Sequence, residues 1–244
     1  MSRARRVAIV QSSYIPWKGY FDLINVADEF ILLDDAQYTR RDWRNRNRIK
    51  TSDGVRWLTI PVMAKGGYHQ RVEEVRIATS RWRERHWRGI SQAYARAPCF
   101  EHYRDRIGSL YLDRADERLS DVNRCFLEAI CRELGITTPF SWSSDHGVPP
   151  GDPSERLAAL VAAVGGTEYV SGPSARSYLR LEPFEERAIE VSYFDYGEYP
   201  EHRQCHGPFE HHVSALDLLF NTGAEARRYM KSFDGSPPLV PAAR

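Results

Sequence analysis

The chain opens on a short uninterrupted apolar run, Val7-Ala8-Ile9-Val10, which ends at the polar, proline- and glycine-bearing stretch from Gln11 to Gly19. A run of that length bounded by turn residues reads as a buried strand feeding a loop. Tyr20, Phe21, Leu23, Ile24 and Ala27 then recur at helical spacing, and Phe30-Ile31-Leu32-Leu33 is a second apolar run closed by Asp34-Asp35. The first 35 residues therefore read as a βαβ unit. Its two parallel strands bring the loop after the first and the acidic pair after the second to one carboxyl edge, where open α/β sheets bind ligands.

Beyond this unit, residues 40–50 are too polar for a core element and read as a loop or excursion, followed by a strand candidate from Trp57 to Val62. From about 80 to 134 the apolar spacing is helical, carried by Trp82, His86, Ile90 and Tyr94, then Tyr103, Ile107 and Tyr111, then Leu119, Val122, Phe126 and Ile130, with Gly135 as the stop. Asp152-Pro153-Ser154-Glu155 opens a helix that runs to Val164, and Tyr169-Val170 begins a strand leading into Ser171-Gly172-Pro173. Ile189 to Phe194 is a further strand, 196–213 is loop-like, and Val213 to Phe220 suits a last buried helix. The fold class is α/β: a Rossmann-like open, mostly parallel sheet with flanking helices and a helical insertion at about 80–135. The expected organisation is a single domain over 1–232 and a disordered tail over 233–244, where Pro237, Pro238 and Pro241 fall.

Composition adds limits. With 244 residues, 42% hydrophobic and 27% charged, the chain is ordinary globular material. No apolar run approaches the roughly 20 residues needed to cross a bilayer, and the basic start lacks a cleavage pattern, so a cytoplasmic protein without a membrane partner is expected. Cys99, Cys125, Cys131 and Cys205 form no C-x-x-C pair and read as free thiols. The net charge of +1 hides an asymmetry: residues 1–110 carry 21 Lys and Arg against 12 Asp and Glu, and the remainder 13 against 21. The basic half favours anionic partners such as phosphates, nucleotides or RNA.

Three segments carry candidate chemistry. Gln11 to Tyr20 with Asp34-Asp35 comes first: Gly19 either lets a ligand approach the helix start or merely shapes a turn, Lys18 adds a mobile charge, and adjacent carboxylates suit Mg²⁺, a ribose or an amine. The Arg/Asn run is second. Guanidiniums bind phosphate, Asn reads amide or base edges, and Trp43 can stack on a base. The third is Ser171-Gly172-Pro173-Ser174-Ala175-Arg176, small residues and an arginine after a strand. His202, Cys205, His206, His211 and His212 match no common zinc spacing, so no metal centre is expected there. G-x-S-x-G, G-x-x-x-x-G-K-[ST] and G-x-G-x-x-G are all absent.

Gln11-Ser12-Ser13-Tyr14-Ile15-Pro16-Trp17-Lys18-Gly19-Tyr20-Phe21, Leu33-Asp34-Asp35-Ala36-Gln37-Tyr38, Trp43 to Ile49, Tyr169-Val170-Ser171-Gly172 and Ser214 to Asn221, taken in order, resemble the WbqC-like protein family. Here Gln11-Ser12-Ser13-Tyr14 stands where relatives often have Gln-Pro-Asn-Tyr. The resemblance implies a biosynthetic role, in polysaccharide (O-antigen) or specialised-metabolite pathways, in modifying a sugar or amine; a transferase is the leading expectation for the reaction. A weaker, fold-level likeness to HxGH-type nucleotidyltransferases rests on Pro16 to Tyr20 and Ser171 to Arg176, although both histidines of that signature are absent.

The leading expectation is a cleft for a nucleotide-bearing or other phosphate-containing donor. Its candidate catalytic residues are Asp34, Asp35 and Lys18. Gln11, Tyr14, Trp17, Gly19, Gln37, Tyr38, Arg44, Asn45, Arg46, Asn47, Ser171, Gly172 and Arg176 are the binding candidates, with Mg²⁺ as an optional cofactor. Aminoacyl-tRNA-dependent acyl transfer to a small amine and a non-catalytic nucleotide- or sugar-binding accessory role are the alternatives. All require Asp35, Arg46 and Arg176 to face one hollow.

Overall fold

The apolar runs become the centre of one six-stranded sheet. A computed structural model describes residues 4–63, 69–235 and 238–242. Strands β1 (Arg6–Val10), β2 (Glu29–Leu32), β5 (Phe140–Trp142), β6 (Glu168–Ser171) and β7 (Glu190–Phe194) lie in the order β5-β2-β1-β6-β7, every adjacent pair parallel. The architecture is the expected open, mostly parallel α/β sheet.

Both faces are covered, which is why the strands are continuously apolar rather than alternating. Ala8, Phe30, Leu32, Val170 and Phe194 enter the larger core with α1 (Lys18–Val26), α4 (Leu119–Leu134) and α7 (Ala215–Thr222). Val7, Ile9, Ile31, Tyr169 and Val191 enter the smaller one with α5 (Pro153–Ala163) and α6 (Glu182–Glu185). Helices α2 (Trp82–Tyr94) and α3 (Phe100–Leu112), with α4, form the expected helical block over the larger core.

Two expectations need correction. The polar segment 40–50 is only partly a loop: β3 (Arg46–Thr51) pairs antiparallel with β4 (Gly54–Thr59), Arg48 opposite Trp57. Its period of two was masked because the inward positions are Asn47 and Ile49 rather than two apolar residues, the amide being hydrogen-bonded inside. Gly54, at φ 104°, supplies the left-handed turn. The tail is not disordered throughout: β8 (Leu239–Pro241) adds antiparallel to β7. An edge strand tolerates Pro241 because its missing N–H faces no neighbour. Residues 236, 237, 243 and 244 of the expected tail lie outside the described residues.

Candidate functional site

β1 connects through α1 to β2 on one side, whereas β6 lies on its other side. The loops leaving β1 and β6 thus diverge at the carboxyl edge and open a crevice, the place where such sheets take ligands. A cleft of about 710 Å³ lies there, walled by Gln11, Asp35, Arg44, Arg156, Ser171 and Gly172, with Tyr20, Tyr178 and Tyr196 adding aromatic surface. A second, largely apolar slot of about 270 Å³ adjoins it and is lined by Trp17, Trp43, Asn47 and His212. Val10, Tyr20 and Arg44 line both.

The first loop is held by its neighbours rather than by its own turns. Tyr14 N donates to Trp43 O at 3.1 Å, and Asn47 Nδ2 donates to Tyr14 O at 3.0 Å. Ile15, next to the doubly anchored Tyr14, has φ 37°, a costly conformation for a β-branched residue and one that persists only where the surroundings over-determine it. Asn123 of α4 donates to both Ser12 Oγ at 3.0 Å and Arg44 O at 2.9 Å, locking the loop to the basic segment.

The two carboxylates part company. Asp34 is 1% exposed, and its oxygens accept from Ser12 N at 2.7 Å and Ser12 Oγ at 2.6 Å. Burial pushes its carboxyl up to about 6, against the opposing pull of the Ser12 hydrogen bonds. Asp35 faces the cleft, accepting from Ser143 Oγ at 2.6 Å and paired with the Arg156 guanidinium. With their oxygens engaged by separate partners, the pair does not form one shared cation-ligand set. Among the described residues, no group of three or more His, Cys, Asp and Glu side chains is arranged to hold a metal ion.

Arg44 Nη1 donates to Gln11 O at 2.7 Å and Ser12 O at 3.3 Å, so the guanidinium stands inside the cleft wall. The Nε atoms of Arg44 and Arg156 are buried without a hydrogen-bond partner. Such orphaned donors are rare in folded proteins, and here two belong to cleft-lining arginines. Two guanidiniums and one carboxylate line the cleft, with Asp42 3.8 Å from Arg44 Nε behind them.

The other expected residues divide. Gln11, Ser171 and Gly172 line the cleft; Trp17 and Asn47 line the slot. Gln37 is exposed, and its carbonyl accepts from Gln11 Nε2. Tyr14 and Tyr38 are buried, Tyr14 Oη contacting His86 Nδ1 and Tyr111 Oη at 2.9 Å each. Asn45 is buried and donates to Ile60 O. Gly19 leaves room for the chain's own Trp17, whose ring would stand 2.4 Å from an added Cβ. Lys18 is buried; its Nζ donates to Pro200 O at 2.9 Å over the Tyr199 ring, and desolvation lowers its ammonium to about 8. Of Asp35, Arg46 and Arg176, only Asp35 lines the cleft: Arg46 lies over Trp57 on the hairpin, and Arg176 lies over Tyr193. The expected convergence of all three therefore fails; the cleft beside Asp35 is walled by Arg44 and Arg156, which that expectation did not unite. Arg156 had no signal in the sequence, being one charged residue in the first turn of a helix more than a hundred positions from Asp35.

The model of the WbqC-like protein family matches residues 11–229. The "Uncharacterized protein Rv1507c" of Mycobacterium tuberculosis (strain ATCC 25618 / H37Rv) is 51% identical over 227 residues, covering 93% of this chain and 98% of that protein. No solved structure matches. A family match that begins at the first loop and runs past α7, with half the aligned positions identical in a near full-length relative, shows that the chain belongs to the WbqC-like protein family.

Proposed function

We propose that the protein is a transferase whose carboxyl-edge cleft binds a phosphate-bearing, nucleotide-linked donor and passes the donor's group to a sugar or amine acceptor in polysaccharide or specialised-metabolite biosynthesis. The observation that carries this reading is the pair of arginines at the switch point, Arg44 and Arg156, both lining the cleft and each with a buried Nε that makes no hydrogen bond, Asp42 lying 3.8 Å from that of Arg44. Guanidiniums match phosphate geometry, and a walled cleft strengthens their pull on anionic oxygens. Asp35, the cleft's carboxylate, orients the acceptor and takes up its proton as the new bond forms, while Arg156 and Ser143 hold the carboxylate in place. The apolar slot beside Arg44 accepts the planar part of the donor between Trp17 and Trp43.

Isothermal calorimetry with nucleoside phosphates and nucleotide sugars tests the reading. At least one class is expected to give heat, and Arg44→Gln is expected to weaken that donor about tenfold or more, from the loss of a charged hydrogen bond. Folded protein that gives no heat with any phosphate-bearing donor defeats the proposal.

A further inference from the structure

The β3–β4 hairpin, with Trp43 just before it, carries a surface outside the cleft lining that shares only Trp43 with the slot. Trp43 and Trp57 are 41% and 44% exposed, yet their rings lie 5.4 Å apart and 33° from parallel. The Arg46 guanidinium lies 4.3 Å from the Trp57 ring, and that of Arg48 lies 5.7 Å from Trp43 and 5.6 Å from Trp57. Strand alternation explains the grouping: Arg46, Arg48 and Trp57 occupy one face of the hairpin, while Asn47, Ile49 and Leu58 point inward. The Nε atoms of Arg46 and Arg48 are buried without hydrogen-bond partners, and Arg40 and Arg41 precede them in the chain. Asp42 and Glu210 are the nearby acids, the first hydrogen-bonded by Thr39 and the second acting electrostatically on Arg48. Two half-exposed indoles interleaved with guanidiniums suit an occupant that is both flat and anionic.

We propose that this hairpin face docks single-stranded RNA, its bases stacking on Trp43 and Trp57 and its phosphates meeting Arg46 and Arg48. Stacking surfaces threaded with cations are how proteins hold unpaired strands. The platform continues into the site, because Trp43 also lines the slot that adjoins the cleft. A strand running over Trp43 would bring its end to the slot beside Arg44, next to the cleft that holds Asp35. The choice of RNA rests on the cleft's reading as a donor site: only a ribose terminus offers the vicinal diol whose ester is an activated acyl group. Attack of an acceptor amine on that ester forms an amide, breaks the ester C–O bond and returns the terminal hydroxyl, the amine's proton passing through Asp35 to the departing oxygen.

Fluorescence anisotropy with a labelled unstructured 12-nucleotide RNA, its DNA counterpart and a salt series tests the proposal. The RNA is expected to bind at low salt and weaken steeply as salt rises. Trp57→Ala is expected to lower affinity about tenfold through loss of base stacking, with Trp57→Phe restoring most of it and the melting temperature monitoring the fold. The Arg46→Gln, Arg48→Gln pair is expected to flatten the salt dependence by about 1.4 in slope, at about 0.7 per neutralised phosphate on a single strand. Absence of RNA binding, binding indifferent to Trp57→Ala in folded protein, or DNA bound as tightly as RNA overturns the inference. Mononucleotide calorimetry on the unsubstituted protein separates the two claims: heat with mononucleotides but no RNA binding leaves the donor site standing and removes only the RNA, whereas Trp57→Ala, outside the cleft lining, is expected to keep the heat while weakening the RNA.

Discussion

Asp34 and Asp35 show how adjacent identical residues acquire opposite circumstances. Asp34 turns inward to fasten β2 to the loop after β1 through Ser12, and Asp35 turns into the cleft to meet Arg156 and Ser143. The burial of Asp34 predicts a pH signature. Its carboxyl titrates near 6 in the folded chain against an ordinary value of 3.8, so between those values the native state keeps a proton that the unfolded chain has released. The carboxyl therefore favours the fold at acid pH, and its contribution disappears as pH rises through about 6. Asp34→Asn keeps the acceptor for Ser12 N–H and removes the titration. Its stability relative to wild type, followed by melting temperature, is expected to improve from pH 4.5 to pH 7.5 by about 2 kcal/mol on the usual conversion of pKa to free energy. A difference that does not change with pH contradicts this account of Asp34.

At the scale of elements, the first loop and the start of α1 behave as a wedge. Trp17 packs between Tyr196, Tyr199 and His212, with ring centroids 5.4, 5.5 and 5.6 Å away, and Gly19 vacates the volume its ring needs. The histidine-rich loop thus contributes to the slot through His212, whose ring meets Trp17 at a tilt, while His202 is hydrogen-bonded to Asp217 and His206 donates to Ala93 O. Gly19→Ala is expected to push Trp17 from this position, costing about 1–3 kcal/mol as overpacking does. The readouts are a lower melting temperature and an altered near-ultraviolet circular dichroism spectrum. An unchanged spectrum would show that the ring has other room.

Across the whole molecule, the sheet's two edges are treated differently. β5 ends one side beside β2, whereas the far side is closed by β8, which pairs with β7 through Ser192, Tyr193 and Phe194. Backbone bonds from Asp195 N to Pro238 O and from Ala242 N to Val191 O extend that pairing. Truncation after Gly235 is expected to leave the edge of β7 unpaired, lowering the melting temperature and promoting concentration-dependent association by light scattering, the usual hazard of an open edge. A truncated chain that is as stable as the full chain and associates no more strongly would mean that β8 contributes nothing to the sheet.

Local sequence determined a good deal. The apolar runs at Val7–Val10 and Phe30–Leu33, the helical spacing after Gly19 and the three-helix block after residue 80 each carry their period in a few neighbouring residues. The parallel sheet and the carboxyl-edge location of Gln11, Asp35 and Ser171 were legible for that reason. β3 was obscured because hydrogen-bonded Asn47 takes an inward place that pattern reading reserves for an apolar side chain. Which way Asp34 and Asp35 turn, which arginines wall the cleft, and that Trp43 meets Trp57 were decided only by tertiary structure. Each depends on partners distant in the chain: Ser12 for Asp34, Arg156 for Asp35, and the hairpin register for Trp57. Periodicity reports which side of an element is buried, but only the packed chain sets which charges and rings face one another.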